Sequence, residues 1–166
     1  MKKILETERV RLREFLLKDA EFILELVNTP LWIQYIGDRN IHTPGVAEEY
    51  ISDNLQKGYQ KNGFGLWLME LKETATPIGM CGLVNRDSLD DVDIGFALLP
   101  KYERQGYTFE TATATLKHAK EKLQISKIVA ITDASNIASI GLLNKIGLKF
   151  EKELKLSEKD TVLLFS

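Results

Sequence analysis

The chain lacks what would let it be stapled, metal-clustered or membrane-embedded. Its 166 residues include one cysteine, Cys81, which excludes an intramolecular disulfide framework and a cysteine-built metal site. Only two histidines are present, His42 and His118, and their placement suggests no metal site; His42 lies in a loop before a helix, and His118 falls off a helix's apolar stripe and is expected to face solvent. No apolar run approaches the roughly 20 residues needed to cross a bilayer. The start, Met-Lys-Lys-Ile-Leu-Glu-Thr-Glu-Arg, lacks the apolar stretch of an export signal, so no membrane association and a cytoplasmic location are expected. An excess of one charge is missing too: 22 basic and 24 acidic side chains leave a net charge of −2. Without a concentrated basic stripe or a stacking pair of aromatics, a nucleic-acid module is disfavoured. A local basic spot for a small anionic ligand remains compatible with that balance.

What is present suits a packed core. Apolar residues make up 44 % and charged residues 28 % of the chain, near the values of soluble globular proteins. With about 150 residues per domain as a guide, residues 1–166 are expected to form one domain. Cys81, in Ile-Gly-Met-Cys-Gly-Leu, reads as a small buried hydrophobe and not as a nucleophile.

The apolar pattern then sets the order of elements. Val10, Leu12 and Phe15 alternate with charges as a first strand. Ala20, Ile23, Leu24 and Val27 make one stripe of a helix that Asn28-Thr29-Pro30 stops. Residues 31–42 have no clean period and read as a loop or short helix over a cleft. Thr43-Pro44 starts a helix ended by Asn62-Gly63. Three strands, Phe64 to Leu71, Pro77 to Asn85 and Val92 to Leu99, follow with links too short for a parallel crossover, so they form an antiparallel meander. Phe109, Ala112, Leu116, Ala119 and Leu123 mark a long helix, Lys127 to Thr132 a buried strand, and Asn136 to Ile146 a helix stopped by Gly147. Leu148 to Leu156 and Thr161 to Ser166 suit a closing hairpin. A strand–helix–strand crossover beside a meander predicts an α/β (α+β) domain with a mixed sheet.

Three places carry chemistry. The turn from Pro100 to Glu110 joins a strand to a helix, and Arg104, Gln105 and Gly106 sit where free N–H groups and the helix dipole suit a phosphate. Read locally it is also an ordinary connection. In the preceding strand, Asp93, Gly95, Ala97 and Leu99 share a face whose small residues leave room either for a ligand or for close helix packing. Asn136 caps the last helix, with Ser139 one turn on.

Taken together, Ile-Gly-Phe-x-Leu-x-Pro, then Gly-Tyr-x-x-Glu, then Asn-x-x-Ser-x-x-x-Leu-x-Lys-Ile-Gly-Leu, resemble the GNAT family of acyl-CoA-dependent N-acyltransferases. The opening Thr7-Glu-Arg-Val-Arg-Leu-Arg13 with Asp19 is similar to the branch containing ribosomal-protein N-terminal acetyltransferases. The likeness runs from Leu5 to about Glu151. It implies a splayed mixed sheet with acetyl-CoA as co-substrate between the third meander strand and the next, parallel strand. Backbone groups of Ala97, Leu98 and Leu99 would hold the pantetheine arm. Arg104, Gln105, Gly106, Tyr107 and Thr108 would cradle the pyrophosphate, and Asn136 and Ser139 would lie near the thioester. The turn departs from the family pattern at Glu103 and Thr108; Glu103 would repel a pyrophosphate unless turned away, and Arg104 offsets it.

Direct transfer needs a group to take the acceptor amine's proton, and no metal. Asp93 is the candidate base, with a solvated turn-end carboxylate as the other reading; Ser139 is the candidate proton donor to the thiolate, since the position where many relatives carry a tyrosine is Leu143. The expected function is acetyl transfer from acetyl-CoA to a primary amine, on a small molecule or a protein N-terminus. A non-catalytic acyl-CoA-binding regulatory domain is the alternative. Trp32, Tyr35, His42 and residues 154–160 are expected to shape the acceptor cleft, and Asp90, Asp91 and Asp93 to attract a cationic amine.

Overall fold

The computed structural model describes residues 1–166. Its strands are β1 (Lys3–Glu6), β2 (Val10–Arg13), β3 (Leu66–Leu71), β4 (Pro77–Val84), β5 (Val92–Leu98), β6 (Ile128–Thr132), β7 (Phe150–Ser157) and β8 (Asp160–Phe165). They form one eight-stranded sheet in the order β1-β2-β3-β4-β5-β6-β8-β7. Every neighbouring pair is antiparallel except β5 and β6, which are parallel and joined by the crossover helix α5 (Tyr107–Glu121). The mixed α/β sheet is the expected architecture. The strand β1 is an addition to the expected order, not evident in the sequence because its residues are only partly buried and carry charges at both ends.

The helices before the meander are α1 (Ala20–Val27), α2 (Pro30–Tyr35), α3 (Pro44–Tyr50) and α4 (Lys57–Asn62), the last two joined by a π-helical stretch over Ile51–Gln56. Thr43 caps α3 as its sequence implies, its hydroxyl accepting from Val46 N–H at 3.3 Å. Trp32 is 4 % exposed and belongs to the core, so it does not line a cleft; the six-residue helix α2 turns it inward.

On one sheet face, α5 packs through Thr111, Ala112, Thr115 and Ala119. Alanines let the helix approach closely, and the buried threonines find partners: Thr111 Oγ1 donates to Tyr107 C=O at 2.9 Å, and Thr115 Oγ1 lies 3.6 Å from Cys81 Sγ. Cys81 is fully buried, and that burial pushes its thiol up to about 11, so it carries no thiolate at neutral pH. His118 is not simply solvent-facing: it sits edge-on against Trp67 at 5.8 Å, half-buried, and burial lowers its pKa.

The opposite face carries a buried charge cluster. Arg13 donates bidentately to Asp19, at 2.8 and 2.9 Å, and through Nε to Glu70 at 2.9 Å. Arg11 adds a bond to the other Glu70 oxygen at 3.1 Å. These contacts fix the start of α1 to strands β2 and β3.

Candidate functional site

The sheet comes apart at one place. β4 and β5 stay in register from Gly79↔Leu98 to Val84↔Asp93, but β5 and β6 pair only at Val92↔Ile128 and Asp93↔Val129. Beyond those two pairs the parallel strands diverge towards their C-terminal ends. In open α/β sheets this is where ligands enter.

Backbone alternation decides what the opening presents. Leu99 N–H donates to Ile78 C=O at 2.8 Å, so the amides of Leu99 and Ala97 face β4, and those of Phe96 and Leu98 face the edge that β6 has left. Of the three residues expected to offer backbone groups, Leu98 is at the free edge. Ala97 and Leu99 are turned inward, and Leu99 is buried as well. Phe96, and not Ala97, presents its amide at that edge, as the strand's period of two requires once its hydrogen-bonding edge is known.

Past β5, a 3-10 turn over Pro100–Tyr102 leads to the start of α5. Arg104 and Gly106 both have left-handed backbone, φ 58° and 84°. Such a turn lines up successive N–H groups, and none from Arg104 through Phe109 has an acceptor within the protein. Gly106 caps the helix without any side-chain bond. The Arg104 side chain is exposed and unpaired, and Gln105 Nε2 donates to Lys101 C=O at 3.0 Å. Tyr107 and Thr108 are half-buried in the first turn of α5.

A second arginine, from a segment distant in sequence, reaches the same turn. Arg9, between β1 and β2, donates through Nε to Glu110 at 2.9 Å and through Nη1 to Gln105 C=O at 3.0 Å, with its guanidinium 4.3 Å from the Tyr107 ring centroid. Glu110 also accepts from Arg9 N–H at 2.8 Å and from the Thr7 hydroxyl. Hydrogen bonds from Thr7 and Arg9 hold its carboxyl below the usual range despite partial burial.

Across the opening, α6 (Ile137–Lys145) begins where β6 ends. Asn136 Oδ1 accepts from Ser139 N–H at 3.2 Å, leaving the half-buried Ser139 hydroxyl without a protein partner. Leu143 points into the core. Lys145 lies 4.4 Å from the Phe109 ring centroid and ties α6 to α5.

Asp93 sits at the closed end of the gap, on the same face as Gly95 and Ala97. It is 1 % exposed, so it is no solvated turn-end carboxylate. Burial raises its pKa to about 6, and Arg86, whose Nε donates to both carboxyl oxygens at 3.2 Å, opposes that rise. The expected acidic patch does not form as one surface: Asp91 pairs with Lys127 at 3.1 Å and Asp93 with Arg86. A groove of about 520 Å³ between α1, Pro77, Leu99 and Lys101 contains Leu99 but none of the other candidate site residues.

An acyl carrier with a peptide-like arm and a diphosphate matches this opening: the free strand edge offers amide partners, and the unbonded N–H groups of the turn offer donors to an anion. The opening is thus compatible with an acyl-carrier-dependent transferase, the class to which the family match assigns the chain. Residues 9–149 match the acetyltransferase (GNAT) domain, and the chain belongs to that family. It is an acetyl-CoA-dependent acetyltransferase. The Bacillus subtilis protein YkkB is 30 % identical over 156 residues, covering 91 % of this chain and 88 % of its own. The uncharacterized N-acetyltransferase YoaA of the same organism is 29 % identical over 152 residues, with coverages of 90 % and 84 %. Among solved structures, the ribosomal-protein α-N-acetyltransferase RimL in complex with coenzyme A shares the fold, with a TM-score of 0.83, 16 % identity and coverages of 99 % and 96 %.

Proposed function

We propose that the protein transfers an acetyl group directly from acetyl-CoA to a primary amine, with no covalent enzyme intermediate, and that residues 1–166 act as one domain around a core running from Val10 to Phe165. The observation that carries the reading is the run of unbonded N–H groups from Arg104 to Phe109 beside the opened edge of β5. Acetyl-CoA supplies the activated acetyl thioester. Leu98 and Phe96 hold the pantetheine arm through their outward amides, alongside the small side chain of Ala97. Arg104, Gln105, Gly106, Tyr107 and Thr108 receive the pyrophosphate.

Asp93 takes the amine's proton, through water where its own burial keeps the acceptor at a distance. Its raised pKa places it near the pH at which a base is both ionised and able to hold a proton. Asn136 fixes the first turn of α6, and the Ser139 hydroxyl, free of other partners, donates towards the departing sulfur. RimL is named for a ribosomal-protein N-terminus; a protein N-terminus and a small-molecule amine both belong to the acceptor class proposed here.

A thermal-shift titration of the full chain with acetyl-CoA is expected to raise the unfolding temperature, and a thiol-release assay over a panel of primary amines to detect turnover. No shift at millimolar acetyl-CoA sinks the co-substrate assignment for these residues. A shift with no turnover across the panel favours a non-catalytic acyl-CoA sensor instead.

A further inference from the structure

We propose that Arg9 is a ligand for the diphosphate of the acyl donor, pre-positioned by Glu110, the Gln105 carbonyl and the Tyr107 ring. The inference rests on the acetyl-CoA reading of the turn. A guanidinium carries five N–H donors in a fixed fork. At Arg9, Nε is committed to Glu110 and one Nη1 hydrogen to Gln105 C=O, whereas Nη2 donates to nothing in the protein. That nitrogen lies at the turn: a methyl group on Gly106 would sit 3.2 Å from it. The unused donors therefore stand beside the unbonded N–H groups of the helix start. At Gly106 the left-handed backbone favours glycine, and a Cβ there would press on Arg9 Nη2.

The two arginines at the turn differ in preparation. Arg104 is exposed with no partner, so binding must immobilise its whole side chain. Arg9 already has its Nε, one Nη and its aromatic support in place, so little freedom is left to lose on binding an anion. A purely structural pair explains this less well. The Arg9 side chain is 42 % exposed, where an ion pair contributes little to stability.

The test is isothermal titration of the full chain with coenzyme A and with 3′-dephospho-coenzyme A at fixed ionic strength, for wild type, Arg9→Gln, Arg9→Lys and Glu110→Gln, with unliganded melting curves alongside. Arg9→Gln is expected to weaken both ligands about tenfold, the loss of charge-assisted hydrogen bonds to a phosphate. Arg9→Lys is expected to fall between it and wild type, and carries the test should Arg9→Gln fold poorly. Glu110→Gln leaves the Arg9 charge in place while weakening one of its anchors, and is expected to lose less than Arg9→Gln. Unchanged affinity in both Arg9 variants overturns the proposal while leaving the acetyl-CoA reading intact. A loss with coenzyme A alone assigns Arg9 to the 3′-phosphate and overturns the diphosphate contact. Equal losses in Arg9→Gln and Glu110→Gln overturn it in favour of a staple between hairpin and helix. No binding by wild type brings down the acetyl-CoA reading and the proposal together.

Discussion

Arg9, just before β2, and Arg13, its last residue, are treated in opposite ways. Arg13, with a side chain only 4 % exposed, has donors on Asp19, Glu70 and the Glu14 carbonyl. Arg9, 42 % exposed, leaves one end of its fork without a partner, next to a turn whose N–H groups also lack one. A buried charge is tolerated only when its partners are all in place, because an unpaired donor there carries the full desolvation cost. Near solvent that cost is small, so donors can stay open for a ligand. The same residue type thus closes the fold at one end of β2 and leaves a valence at the other.

The contrast can be broken at either end, most severely at the buried one. Arg13→Ala strands Asp19 as an uncompensated buried charge and leaves Glu70 with Arg11 alone, and is expected to cost roughly 3–5 kcal/mol in urea unfolding, with the coenzyme A affinity of the folded protein unchanged. A cost below about 1 kcal/mol would mean that the cluster is not the closed structural unit described.

Next comes Asp93→Asn, which keeps the shape and removes the base. Turnover is expected to drop about a hundredfold or more, with acetyl-CoA binding intact. The wild-type rate should rise as pH increases through about 6, because Asp93 must lose its proton before it can accept one, and the variant should lack that limb. A variant that retains the rise through pH 6 assigns the limb to another group.

Arg104→Glu reverses the charge at the turn without touching the core. It is expected to weaken acetyl-CoA binding at least about tenfold and so erase most of the thermal shift, while the unliganded melting temperature stays put. An undiminished shift would remove Arg104 from the site. Ser139→Ala is the mildest: the loss of one hydrogen bond to the leaving group predicts a fall in kcat of about threefold to tenfold, with KM for acetyl-CoA nearly unchanged. A rate equal to wild type, measured by thiol release, leaves Ser139 as no more than part of the α6 cap.

Much of this arrangement is visible along the chain. Helix periods, the Thr43-Pro44 start and the meander's short links are local signals, and they recur in the structure. The gap's two helix starts, at Gly106 and Asn136, are also local, since a left-handed glycine and a capping amide act within a few residues. Other features are not. Trp32 sits in a segment without a period, and its burial depends on neighbours that the segment does not contain. Asp90, Asp91 and Asp93 look like one acidic patch in sequence, yet strand alternation sends Asp93 inward to Arg86 while Asp91 meets Lys127.

The Thr7-to-Arg13 opening and the Gly-Tyr-x-x-Glu turn illustrate the division most clearly. Both were recognisable as motifs, but Arg9 and Glu110 lie 101 residues apart, and nothing in either segment says that they touch. The amino-acid order alone sufficed for most of the elements and the two helix starts, though not for β1 or the burial of Trp32, because propensity, periodicity and capping act over a few residues. The contact of Arg9 with the turn, the outward amides of Phe96 and Leu98, and the burial that lifts the Asp93 pKa came from the packed chain. Each depends on which strands pair, where they part and how much water is excluded, and these are properties of distant segments brought together.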